Sequence, residues 1–293
     1  DEHMLAEPLT ARRRSQDHAL LRVMLAKHFF VAWRRRRWFG MLFPTLLYGG
    51  IICASWMTLL RKLEPPELRA SVVALLVPIY LLQGMSAHLQ LAVVDIVSEK
   101  EKKMQVVQLI NGLPPRIYWL SWFIYFMACG MVCSLVTLVL TAGVSPLFGH
   151  SNLVLVLAVF LLGYAQIFAA ACCLSIIFDR AETAGRVVQF AALALLLLAI
   201  GLNALMRSAG SWVFYVASLV PVVSTYTALT SVLYLEALGV GLTFGTLSQD
   251  CCLTGKGTQS GIFFPVGVSI ALLVVDIAIY FLLCWWLDQV WQG

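Results

Sequence analysis

Charge is what this sequence has least of. Fifteen acidic and 20 basic residues are spread over 293 positions, so that 12% of the chain is charged and 61% apolar. With a mean hydropathy of +0.87, that balance excludes an ordinary soluble domain and points to a polytopic membrane protein. Catalytic signatures are missing too: there is no H-E-x-x-H, no G-x-S-x-G and no His/Cys/Asp set at ligand spacing, so neither a catalytic residue nor a metal site is expected. "TGKGT" (Thr254–Thr258) holds a Gly-Lys pair but not the full phosphate-loop pattern, and reads as a loop. There is no Asn-x-Ser/Thr sequon, internal repeat or low-complexity tract. Six of the eight cysteines, Cys53, Cys129, Cys133, Cys172, Cys173 and Cys284, fall in apolar runs and read as packing residues. Cys251 and Cys252 lie in a polar segment where oxidation is open.

What is present is a series of six apolar runs: Trp38–Leu60, Val72–Val94, Ile117–Ala142, Leu153–Phe178, Val187–Met206 and Phe263–Leu287. Each is long enough, at about 1.5 Å per residue, to cross a hydrocarbon layer of roughly 30 Å. Residues 1–37 do not fit a secretory signal, because Arg12–Arg14 lead into a mixed stretch. That stretch reads as an interfacial helix with an apolar face at Leu20, Leu21, Met24, Leu25, Phe29 and Ala32. If the amino terminus is cytoplasmic, fifteen basic residues fall on that side and five on the other (Arg61, Lys62, Arg69, Arg207 and Lys256). This positive-inside bias places both termini in the cytoplasm, in a membrane whose identity stays open. The net charge of +5 then reads as topology and anionic-lipid contact, with no nucleic-acid partner.

The longest excursion between spans, residues 207–262, opens with an apolar stretch interrupted by Pro221 and by Ser/Thr residues near Ser224–Thr227. Two short helices dipping into the exoplasmic side and returning satisfy both its apolarity and the charge bias. On the cytoplasmic side, the segment 95–116 packs six charges into the nine residues from Asp95 to Lys103. Ser98 and Glu101 have capping-box spacing, while Asn111-Gly112 and Pro114-Pro115 supply a stop. One reading is a short docking helix of about three turns beginning at Ser98. A competing reading continues the second span past Ser98, and a third leaves a merely solvated loop.

Polar groups inside apolar runs are costly unless paired or hydrated. Gln83, Ser86 and Gln90 form one stripe on the second span, with His88 and Asp95 on nearly the opposite side. Asn203 sits late in the fifth span and Asp276 midway along the sixth. Gln83, Ser86, Gln90, Asn203 and Asp276 are candidates for a substrate cleft, or else for interhelical hydrogen bonds holding a bundle together. Trp119, Trp122, Trp285 and Trp286 lie near span ends and suit interfacial anchoring.

The residues also carry a resemblance. "VSEKEKKMQVVQLINGLPPRIYWLSWF" resembles the charged loop and following span of A-subfamily ATP-binding-cassette transporters. "VDIAIYFLLCWWLDQVWQG" is similar to that subfamily's last span, and "SLVPVVSTYTALTSVLYLEALGVGLTF" to its exoplasmic re-entrant segment. The likeness implies an all-α membrane fold of the type-2 exporter class. Residues 1–37 would carry an elbow helix and residues 38–293 a six-span domain with a re-entrant hairpin. Glu99, Lys100, Glu101, Lys102 and Lys103 would form the element through which an ATPase moves the spans.

The resemblance further implies the permease half of an ATP-driven lipid exporter or flippase. Its partners would be a nucleotide-binding domain carrying ATP and magnesium, a second transmembrane half and a lipid. The sequence departs from the subfamily in placing only Arg61–Ser71 between the first two spans and in showing no Walker A, signature or Walker B segment, so no ATP hydrolysis is expected of these residues alone. A non-transporting regulatory or assembly subunit is the rival reading. A membrane-embedded lipid enzyme would have to work through His88 and Asp95.

Overall fold

The computed structural model describes residues 2–64, 66–145, 147–209, 215–247 and 265–291, with side chains for 16–64, 68–145, 147–202, 215–247 and 265–290. The Asn203 side chain, Cys251, Cys252 and Thr254–Thr258 lie outside the described residues. Among the described residues the chain is helical throughout, without a strand. Its principal helices are α1 (Glu2–Arg34), α2 (Arg37–Thr58), α3 (Pro66–Glu101), α4 (Met104–Ile110), α5 (Pro115–Leu138), α6 (Leu153–Ile177), α7 (Ala181–Ala209), α8 (Val223–Ala237) and α9 (Val266–Trp291). Six of these are long and apolar enough to span a membrane: α2, α3, α5, α6, α7 and α9. The six expected runs fall one on each.

The spans are not equivalent. In α6, 61% of the most apolar stretch is buried by neighbours, against 22% in α2 and in α9. In the more exposed helices much of the apolar surface is turned outward, as a lipid solvent permits. The central element is α3, which packs on α2, α6, α7 and α8. At 36 residues it is about 54 Å long, well beyond the roughly 30 Å of hydrocarbon. Its last turns must therefore project past the apolar layer. There Asp95, Glu99, Lys100 and Glu101 stay helical.

The capping-box expectation at Ser98 is corrected by this geometry. Ser98 sits inside α3, and the break comes at Lys103, a non-glycine residue with φ 56. The next helix, α4, is two turns long and closed by a Schellman-type arrangement. The Gly112 amide (φ 89) donates to the Leu109 carbonyl at 3.0 Å, and the Leu113 amide to Gln108 at 3.1 Å. Leu113 is buried and Pro114-Pro115 then starts α5. Arg36, between α1 and α2, is likewise left-handed at φ 52. Such residues cost on the order of 1–3 kcal/mol each and persist where their surroundings over-determine them.

Helix α1 lays the expected face (Leu20, Leu21, Met24, Leu25, Phe29 and Ala32) against the core and packs mainly on α5. His28 on that face lies tilted at 40° against Trp122 with ring centroids 4.0 Å apart and meets the Ser121 hydroxyl at 3.1 Å. Trp122 is thus a core residue, not an outward anchor, whereas Trp285 and Trp286 are exposed on α9. Helix α8 is 15 residues, about 22 Å, too short to cross the membrane as a helix. Every residue from Val223 to Glu236 is buried.

Candidate functional site

The charged end of α3 meets five other helices. Asp95 pairs with Arg37 of α2 at 2.9 Å, and Glu99 with Lys27 of α1, while the Tyr118 hydroxyl of α5 donates to Glu99 at 3.3 Å. Lys100 donates to the carbonyls of Ile176 and Phe178 at 2.9 and 3.1 Å and pairs with Asp179 at 2.9 Å. Glu101 accepts the Ala181 amide at 3.1 Å.

The order of those last two charges has a physical reason. The last carbonyls of α6 and the first amides of α7 lack intrahelical partners, and the helix dipoles make these ends negative and positive respectively. A lysine followed by a glutamate supplies the matching sign to each end of the α6–α7 turn. Asp17 of α1 and Arg116 of α5 add a further pair at 3.0 Å.

Three of the five expected coupling residues, Glu99, Lys100 and Glu101, are therefore committed to contacts within the chain. Lys102 and Lys103 remain exposed. Beyond them α4 buries no residue: Met104, Val106, Val107 and Ile110 are all exposed, Ile110 at 79%. An apolar face on a short, firmly ended helix is thus held out from the bundle by a charge-locked base.

The substrate-cleft candidates with described side chains each bond within the chain. The Gln90 amide donates to the Gly185 carbonyl of α7 at 3.2 Å, and Ser86 bonds back to the Gln83 carbonyl at 2.8 Å. Asp276 is sealed at 1% exposure among α6, α8 and α9. It accepts from Gln166 at 2.7 Å and Ser224 at 2.9 Å, while Thr225 donates to the Gln166 carbonyl oxygen. His88 and Asp95 each have a separate partner: His88 meets Cys133 at 3.2 Å and the Gly84 carbonyl at 3.1 Å.

Two interior polar residues were absent from the sequence-derived candidates. Gln166 is an amide fully buried midway along the apolar helix α6, and the cost argument that flagged Asn203 applies to it equally. Glu236, buried on α8, accepts the His150 amide at 2.7 Å and the Ser151 hydroxyl. It borders a cavity of about 530 Å³ lined by Trp56, Arg69, Leu147, His150 and Leu233, at the end of the bundle away from α4. Among the described residues no group of three or more His, Cys, Asp and Glu is placed to hold a metal ion.

Residues 57–286 match the ABC-2 family transporter protein model. Similar proteins include the cholesterol transporter ABCA5 of Homo sapiens, 29% identical over 222 residues, and that of Mus musculus, 28% over 219; each alignment covers 73% of this chain and 12% of the relative. The retinal-specific phospholipid-transporting ATPase ABCA4 of Bos taurus is 27% identical over 218 residues, 74% of this chain and 9% of that protein. The chain thus spans about a tenth of the length of the curated relatives it matches. A six-span all-helical bundle with this match makes the chain a membrane domain belonging to the ABC-2 family of transporters, related to the A subfamily.

Proposed function

We propose that this domain is the permease half of an ATP-driven lipid transporter, with α4 as the surface on which an ATP-binding-cassette ATPase rests. The observation that carries the proposal is the contrast at the α3–α4 corner. Glu99, Lys100 and Glu101 bind α3 to α1, α5, α6 and α7, while the next two turns expose Met104, Val106, Val107 and Ile110. A load applied to α4 is passed to several spans at once, as coupling of a motor to a lateral opening requires. ATP and magnesium belong to the partner ATPase, and a second membrane half completes the pair.

In this reading both termini and α4 face the cytoplasm, α1 is the elbow at the headgroup layer, and α8 belongs to an exoplasmic re-entrant segment. The substrate class is lipid, by analogy with the cholesterol and phospholipid transport of the relatives named above. The half-buried Gln83, Ser86 and Gln90 on α3, with Asn203 and Asp276, are the polar groups such a substrate would meet as the spans separate.

Val107→Asp with Ile110→Asp tests this without touching the locked base. The double variant is expected to insert and fold normally but to lose ATP-dependent lipid movement in vesicles holding the chain and its ATPase. Undiminished transport would contradict the coupling role. Stable assembly with an ATPase in the absence of any lipid movement by the unaltered chain would favour the regulatory-subunit reading instead.

A further inference from the structure

Beside the junction lies a cleft of about 70 Å³, bounded by α1, α2, α3, α4 and α5, whose lining includes Lys27, Arg35, Arg37 and Lys102 as well as Asp95 and Glu99. Arg37 neutralises Asp95 and Lys27 neutralises Glu99. Arg35 and Lys102 make no ion pair with a described residue, so the cleft keeps two positive charges. Val31, Ala32, Met104 and Trp122 supply apolar walls.

The backbone is bent to build this arrangement. In a continuous helix, residues two apart point to different faces. Arg35 and Arg37 nevertheless line the same cleft, because the intervening Arg36 is left-handed at φ 52. Lys102 and Met104 share it in the same way across Lys103 at φ 56. Two of the three described non-glycine residues with positive φ thus stand between residues that line this cleft; the third, Val222, precedes α8.

We propose that the cleft binds the phosphate headgroup of an anionic phospholipid, bridging the α1–α2 corner to the α3–α4 corner. The excess charge is complementary to a phosphate, and the volume suits a headgroup rather than a whole lipid. The surroundings belong to a membrane surface. Spans α2 and α3 end here, and Phe30 and Trp33 of α1 are exposed at 66% and 74%, as suits residues meeting acyl chains and headgroups. An anionic lipid here joins the elbow to the base of α4, so its presence stiffens the proposed coupling element. The inference rests on the proposed cytoplasmic placement of this end, where the anionic leaflet lies.

The test is a titration of the full chain in neutral-lipid nanodiscs with dioctanoyl phosphatidic acid, whose headgroup is a single phosphate, monitored by tryptophan fluorescence or thermophoresis. Arg35→Ala/Lys102→Ala is expected to weaken binding by roughly tenfold or more, as removal of two cations near a charged headgroup should. Arg61→Ala/Lys62→Ala, at the opposite end, is expected to leave it unchanged. Equal loss in both variants, or loss in neither, would overturn the site. Inorganic phosphate is expected to compete weakly; saturation at the lipid's own concentration would make this a free-anion site and overturn the lipid assignment. Because the titration needs no ATPase, its failure and a failure of the coupling role are distinguishable.

Discussion

The bundle has two polar clusters built on opposite terms. At the end of α3, Asp95, Glu99, Lys100 and Glu101 reach five other helices through contacts that are half-buried or exposed. Within the span region, Asp276 reaches Gln166 and Ser224 in a network closed to solvent. Water reaches most of the bonds in the first cluster, so each contributes little and their number matters. In the second nothing else can satisfy the groups, so one lost partner is expensive. The difference suits a joint that transmits movement at one place and a clamp that keeps α6, α8 and α9 together at the other.

The largest effect is expected from breaking the sealed cluster. Asp276→Ala takes the acceptor from the Ser224 hydroxyl and leaves the Gln166 amide only its bond to Ser224, in an apolar interior, and should cost about 2 kcal/mol, read as a lowered midpoint in detergent or nanodisc unfolding. Asp276→Asn, which keeps an acceptor oxygen for Ser224 and Gln166, should cost less than Asp276→Ala. An equal or larger loss in the Asn variant would show that the network is not the reason.

A second effect concerns α1. Burial, with the Lys27 ammonium adding to it, pushes His28 down to about 3. The folded chain therefore keeps His28 neutral, whereas the unfolded chain protonates it below about 6.5. Its contribution is complete above that value and is lost as pH falls toward 3. Lowering the pH from 8 to 5 should remove about 1–2 kcal/mol of stability, and His28→Phe should flatten that dependence. A pH profile unchanged by the substitution would separate His28 from the effect.

The smallest stability effect belongs to the junction. Lys100→Ala and Glu101→Ala should each cost less than about 1 kcal/mol, because both act on helix ends near water. Their combined loss should instead appear as faster hydrogen exchange at the α6–α7 turn. Protection there that does not change would show that the two charges do not hold the turn.

Much of this was legible in the sequence, and unequally so. Composition and run length located all six spans because the hydrocarbon thickness sets helix length directly. The inward face of α1 was legible from its periodicity. The end of α3 was not: Ser98 and Glu101 carry a local start signal, but the partners that keep the helix going, Lys27, Tyr118 and the α6–α7 turn, pair with it across sequence separations of 19 to 80 residues. Trp122 sits at a span end as an anchor would, yet faces α1, which only the docking of that helix decides. Gln166 and Glu236 could have been found by applying the cost of buried polarity to every apolar run.

The most direct measurement is the sidedness of α4. With Cys251 and Cys252 replaced by serine, Ile110→Cys is reacted with a membrane-impermeant maleimide in sealed vesicles of known orientation. Labelling from the cytosolic face, diminished when an ATP-binding-cassette ATPase is bound, is the result expected of a handle gripped by a motor. Labelling confined to the opposite face would contradict it.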